Sequence, residues 1–180
     1  SQEVRKAFYL SCIIAFKPPS IFKFIFYFKS PASFQNLAAP GCQGIDIRRC
    51  TFEGGRTGIV FVDGASGSVS DCEIRDQDWY GIVGDSAGTV LVENTHVDLT
   101  GNPEGFCFCA FDPPGDWTFL NNEFRSDGLM IVIYAPQTDL LFRDNHFIRT
   151  GSEAWYIHQY GYNGYSGPLP HRIGTRGRSA

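Results

Sequence analysis

Three carboxylates stand immediately before a small residue that opens an apolar run: Glu104 before Gly105, Asp127 before Gly128 and Glu153 before Ala154. Thr57 and Tyr80 hold the equivalent place before Gly58 and Gly81. If these segments stack on successive rungs of a parallel sheet, neighbouring carboxylates stand ~4.8 Å apart and Glu104 and Glu153 ~10 Å apart. Glycoside hydrolysis uses two carboxyl groups roughly 5–5.5 Å apart for retention and roughly 6.5–9.5 Å apart for inversion. Glu104, Asp127 and Glu153 are therefore the candidate catalytic residues. Like charges at that spacing raise the pKa of one member, which suits a general acid. The alternative is that these carboxylates only solvate a rim of loops.

Groups suited to holding a sugar lie close by in sequence. Trp79 and Tyr80 share one loop, and Arg56, Arg125 and Arg149 belong to the same tier of loops. An indole face stacks on a sugar ring and a guanidinium pairs with a uronate carboxylate. Asp85 and His158, on the outer face of the strands that follow, complete a candidate substrate-binding set of Trp79, Tyr80, Arg125, Arg149, Asp85 and His158. Trp155 aligns with an inner stack and is assigned to the core. A second column, Thr51, Glu73, His96, Glu123 and His146, alternates Glu and His. It fits either a proton relay or metal site, or an outward ladder of charges.

These residues are positioned by a repeat. Five segments share one outline: 45–52, 67–74, 90–97, 117–124 and 140–147, with their last residues spaced by 22, 23, 27 and 23. Each is followed by a polar loop and a second apolar strand, beginning Gly58-Ile59, Gly81-Ile82, Gly105-Phe106, Gly128-Leu129 and Ala154-Trp155. No helical period occurs, and a unit of this length holds three short strands and three turns. Such units bury apolar side chains only against the units above and below. Phe52, Ile74, Val97, Phe124 and Phe147 form one inner column. Ile59, Ile82, Phe106, Leu129 and Trp155 form a second. Two residues before the first lie Cys50, Cys72, Thr95, Asn122 and Asn145, small groups able to hydrogen-bond along the stack. The fold expected is all-β, a right-handed parallel β-helix of about five coils.

The recurring isoleucine, ladder Asn or Cys, aromatic and Gly-Ile resemble the repeat of the pectate-lyase-like right-handed parallel β-helix proteins, over about residues 43–160. In sugar-cleaving members the substrate lies along the outer face of the Gly-Ile strand, walled by the preceding loops. The resemblance therefore implies a polysaccharide or oligosaccharide partner. A lyase of this kind adds Ca2+ and a basic residue, commonly Arg or Lys; otherwise no cofactor is implied. The body has no lysine, and the hydrolases' Asp-Asp and Gly-His-Gly signatures are absent. So is the epimerases' Asp-Pro-His-Asp, of which Phe111-Asp-Pro-Pro-Gly-Asp116 carries no histidine. Two functions stand: a carbohydrate-cleaving enzyme using the loop carboxylates, or a non-catalytic structural or surface-adhesion module.

Charge divides the 180 residues into three zones. Residues 1–40 carry five basic residues and one acid, 41–160 carry 18 acids against 7 arginines, and 161–180 carry three arginines and no acid. An acidic body with pI near 5.5 argues against nucleic acid. The β-helix is assigned to 41–160 and a flexible tail to 161–180. Residues 1–40 fit a leader remnant, an apolar cap or a foreign stretch, and neither apolar run in them reaches the ~20 residues that span a bilayer. A secreted, periplasmic or cell-surface location follows from the leader reading and the resemblance. The outer face of the Gly-Ile strands, read as Val60, Val62, Val83, Asp85, Cys107, Cys109, Met130, Val132, Tyr156 and His158, is too apolar to stand in water. Either residues 7–28 cover it or the chain self-associates there. The six cysteines include no Cys-x-x-Cys pair, so a zinc site is not expected. Cys50 and Cys72 are expected to be reduced neighbours on adjacent coils.

Overall fold

The computed structural model describes residues 13–16, 35–111, 115–134, 139–151, 157–159 and 174–176, with 13–16, 35–39, 157–159 and 174–176 as backbone alone. Its strands form three sheets. Sheet 1 holds β1 (Ile13–Phe16), β3 (Ile45–Arg48), β6 (Gly67–Ser70), β9 (Val90–Glu93), β12 (Trp117–Leu120), β15 (Leu140–Arg143) and β18 (Gly174–Arg176). Sheet 2 holds β4 (Thr51–Glu53), β7 (Glu73–Arg75), β10 (His96–Leu99), β13 (Glu123–Ser126) and β16 (His146–Arg149). Sheet 3 holds β2 (Gln35–Pro40), β5 (Thr57–Val62), β8 (Tyr80–Asp85), β11 (Phe106–Phe111), β14 (Ile131–Ile133) and β17 (Ile157–Gln159). Every pairing is parallel except β1 on β3. The stacked strands make about four turns of solenoid. β2 and β18 carry the sheets beyond residues 41–160.

The turn from sheet 1 into sheet 2 is the most regular element. Arg49, Asp71, Asn94, Asn121 and Asp144 all adopt positive φ, between 49° and 55°. Asn and Asp tolerate this left-handed conformation best, which is why they fill four of the five places. The next residue is the expected ladder. Asn122 Oδ1 accepts from Thr95 N at 2.9 Å, and Asn145 Oδ1 accepts from Asn122 N at 2.9 Å. Asn122 Nδ2 donates to Val92 O at 3.0 Å. Cys72 fills its ladder position as a free thiol, and burial pushes its pKa up. Cys50, one rung below, is disulfide-bonded, so the expected pair of reduced thiols is corrected to one thiol and one disulfide half. Parallel Cβ vectors on adjacent rungs do disfavour a Cys50–Cys72 bridge, but Cys50 finds a partner outside its column.

The first inner column is as expected: Phe52, Ile74, Val97 and Phe124 pair rung by rung and are buried, and Phe147 stacks on Phe124 at 5.3 Å. The second slips. Ile82 pairs with Phe108, Phe108 with Ile131 and Ile131 with Ile157. The inner stack is therefore Ile59, Ile82, Phe108 and Ile131, in place of the expected Phe106 and Leu129, and the Ile157 backbone continues the same register. Phe106 and Leu129 pack on the outside of sheet 3, and Trp155 lies outside the described residues. Gly105 and Gly128 caused the slip, because they serve the loop and not the strand. A Cβ on Gly128 would stand 2.1 Å from Pro103 O. The positions matching Gly58 and Gly81 are filled by Cys107 and Met130, both in the core.

The outer face of sheet 3 is correspondingly different. Its central column is Val60, Val83, Cys109 and Val132, all buried in a second apolar cluster with Tyr80, Phe106, Phe111 and Tyr134 packed against it. Cys107 and Met130 do not face outward. Tyr80 meets Phe111 edge-on at 6.0 Å, and Phe111 stacks on Tyr134 at 5.0 Å. Part of the cover thus comes from the sheet's own aromatic rims. Within the segment 7–28 expected to lie there, Ile13–Phe16 instead pairs with β3 at the edge of sheet 1. The remainder of that segment lies outside the described residues.

Candidate functional site

The loops leading into β8 and β11 form the site. In the first, Trp79 N and Tyr80 N both donate to Arg56 O, at 3.0 and 3.1 Å. Gln77, buried, donates from Nε2 to Phe52 O at 3.1 Å. In the second, Asn102 Nδ2 donates to Gln77 O at 3.0 Å and Asp78 O at 2.7 Å, while its Oδ1 accepts from Glu104 N at 3.2 Å. Asn102 thereby fixes one loop to the other, a position sequence reasoning passed over. The signal was an Asn before a Pro, a common opening for a side-chain-stabilised turn.

Trp79, Tyr80 and Glu104 are brought together. Among the described residues they line a pocket of about 210 Å³. The two rings stand nearly perpendicular, with centroids 5.8 Å apart at 86°. Trp79 keeps 46% of its surface exposed, and the Arg56 guanidinium carbon lies 3.4 Å from an indole ring centroid. Burial pushes the Tyr80 phenol above its ordinary value.

The other expected residues lie elsewhere. Asp127 Oδ2 accepts from Gly101 N at 2.6 Å and Oδ1 accepts from the Thr150 hydroxyl, so its carboxylate ties neighbouring coils together. The Thr150 bond, then the Gly101 bond, holds its pKa below the usual value. That is the opposite of the rise expected for one member of a like-charged pair. A depressed folded-state pKa contributes stability above the unfolded value that is lost as pH falls through the folded one. Asp127→Asn is expected to flatten the acid side of the stability profile, checked by thermal melts between neutral pH and pH 3; an unchanged profile would dismiss this role. Glu153 lies outside the described residues, and His158 is placed only by its backbone, paired with Val132. Asp85 is exposed at the end of β8.

Arg125 and Arg149 are on sheet 2, not in the loop tier with Trp79. Arg125 contacts Glu123 at 3.4 Å and Asp98 at 3.9 Å, and Arg149 Nε donates to Gly151 O at 2.8 Å. Arg125 shares its face with the Glu/His column, which is in register as expected, whereas Arg149 pairs with the buried Ser126. His96 Nε2 lies 3.4 Å from Glu123 Oε1, and His146 Nδ1 lies 3.8 Å from its Oε2. Arg75 bridges Glu53 and Glu73 at 3.2 Å each. The face is an alternating ladder of charges.

Comparison with known protein families matches residues 32–166 to the right-handed β-helix region. The chain belongs to the right-handed β-helix family. No curated protein and no solved structure matches it. The match covers all three sheets of this β-helix from β2 to β17, including both loops of the pocket. For the calcium that a lyase-like activity implies, the described residues do not fit: they hold no group of three or more His, Cys, Asp or Glu side chains placed to bind a metal ion. Chemically, the pocket offers a half-exposed indole, a phenol and one carboxylate.

Proposed function

We propose that this β-helix is a glycan-binding module that holds a saccharide unit between Trp79, Tyr80 and Glu104. The observation carrying this reading is the convergence of an exposed indole, a second ring and a carboxylate on one pocket. An aromatic face suits the C–H face of a sugar ring, and a carboxylate accepts hydrogen bonds from hydroxyls. The pocket's volume of about 210 Å³ is below the roughly 300–1,000 Å³ of typical ligand pockets, which favours a single ring over a buried polymer. Binding is preferred to cleavage because Glu104 is the one carboxylate lining the pocket among the described residues, while both Asp127 oxygens are engaged in the loops. An extracytoplasmic setting accords with the Cys50 disulfide.

Calorimetric titration with a panel of oligosaccharides tests this. Trp79→Ala is expected to weaken binding about tenfold or more, as removal of a central aromatic anchor does, with the circular dichroism spectrum unchanged. Equal affinity in the variant would remove the pocket from consideration. Release of reducing ends that Glu104→Gln abolishes would replace the binding reading with the enzymatic one.

A further inference from the structure

We propose that the pocket selects a positively charged ammonium group, carried by an amino-sugar unit, over neutral and acidic sugars; this rests on the glycan-binding reading above. Two aromatic walls at 86° with a carboxylate beside them reproduce the elements by which proteins hold organic cations: π-faces on adjacent sides and a counter-charge. Glu104 makes no ion pair among the described residues, so its charge is available to a ligand. Trp79 already demonstrates its affinity for a cation, since Arg56 lies 3.4 Å over its ring. Arg56 does not itself line the pocket. A cationic ligand there has the Glu104 carboxylate in the pocket lining.

The surroundings point the same way. Residues 41–160 carry 18 acids, 7 arginines and no lysine, and exposed Asp78 immediately precedes Trp79. An acidic body raises the local concentration of cations and repels polyanions. A uronate would need a cation at the pocket wall. Of the three arginines expected to supply it, Arg125 and Arg149 are held on sheet 2, with Glu123 and Gly151, and Arg56 is engaged over the Trp79 ring and does not line the pocket. Because the site is open to solvent, its charge selectivity is screened over a Debye length of about 8–10 Å at physiological salt, and binding weakens as salt is added.

The test is titration of the whole chain at mildly acidic pH, followed by tryptophan fluorescence and calorimetry. The probes are the glucosamine tetramer, its fully N-acetylated counterpart, tetragalacturonate and tetramethylammonium chloride. The expected result is glucosamine tetramer bound at least tenfold more tightly than the acetylated one, no measurable binding of tetragalacturonate, and loss of the tenfold preference in Glu104→Gln. Equal affinity for the amine and acetylated tetramers, insensitive to Glu104→Gln, overturns the ammonium proposal and leaves glycan binding standing. Tetramethylammonium binding lost in Glu104→Gln, with no saccharide bound, overturns both the glycan reading and the amino-sugar as the carrier of the cation. Tighter binding of tetragalacturonate than of the amine overturns the proposal outright.

Discussion

Trp117→Ala is expected to destabilise the fold by about 3–5 kcal/mol, the range for emptying a large aromatic site in a packed core. Trp117 is fully buried in sheet 1 and touches three aromatic rings, Phe108 at 5.0 Å, Phe61 at 5.6 Å and Phe119 at 6.0 Å. Its space is made by Gly84 across the core. A Cβ on Gly84 would stand 2.7 Å from Trp117 Cζ2, and the rungs on either side of Gly84 carry Phe61 and Ala110. Gly84→Ala alone is therefore expected to cost about 1–3 kcal/mol by overpacking. In a Trp117→Phe background, where that ring atom is gone, most of the penalty should vanish. The smaller ring also removes an indole N–H that is buried without a partner. Urea melts of the four proteins close the double-mutant cycle. A Gly84→Ala penalty that is the same in both backgrounds would mean the glycine is required for some reason other than the indole.

Asn122→Leu is the second large effect. The side chain is 2% exposed, accepts Thr95 N–H, and donates to Val92 O and to Asn145 Oδ1. Leucine has nearly the same size but supplies none of these bonds. It leaves at least a buried amide and a buried carbonyl unsatisfied, at about 1–3 kcal/mol each. A loss of at least about 2 kcal/mol follows, which for a chain of this size lowers the melting temperature by roughly 4–8 °C. Asn122→Asp retains the acceptor for Thr95 but not the donors, and should fall between the two. A leucine variant as stable as the parent would show that the ladder contributes nothing net.

Parity explains which parts of this fold were legible in the sequence. Sheets 1 and 2 keep a constant offset within every coil, as from Ile45 to Phe52 and from Leu140 to Phe147, and their columns could be aligned by matching Phe52, Ile74, Val97, Phe124 and Phe147. Sheet 3 could not, because a slip of two residues preserves an alternating pattern and because the alternation itself breaks where the consecutive Cys107 and Phe108 both enter the core. Phe106 and Phe108 both satisfy an alternating pattern, and only the structure distinguishes the inner one. Glycine misled for a physical reason: the same residue serves a crowded strand position at Gly81 and a close loop approach at Gly128. The site was legible where it rested on local neighbours, as with Trp79 and Tyr80, and illegible where it needed to know which tier a loop joins. Arg125 and Arg149 were misplaced on that account, and Asp127 proved to be a tie between coils. The disulfide at Cys50 depends on a contact from outside its column, which no periodicity could reveal.

The connection between sheets 2 and 3 is the one place where the coils differ greatly in length. Val97 to Phe108 is four residues longer than Phe52 to Ile59, yet both ends sit on regular rungs. The excess leaves as the excursion that carries Asn102, Pro103 and Glu104, and the stack above and below continues undisturbed. The solenoid's frame and this loop can thus diverge independently, because the loop's length is absorbed without any rung being re-registered. For engineering, the Glu104 side chain is the position to vary, with Gly101, Asn102 and Pro103 kept as the ties to the coils on either side. A library at position 104, with Trp79 and Tyr80 retained as a fixed aromatic floor, would alter the pocket's lining without altering what holds the protein up.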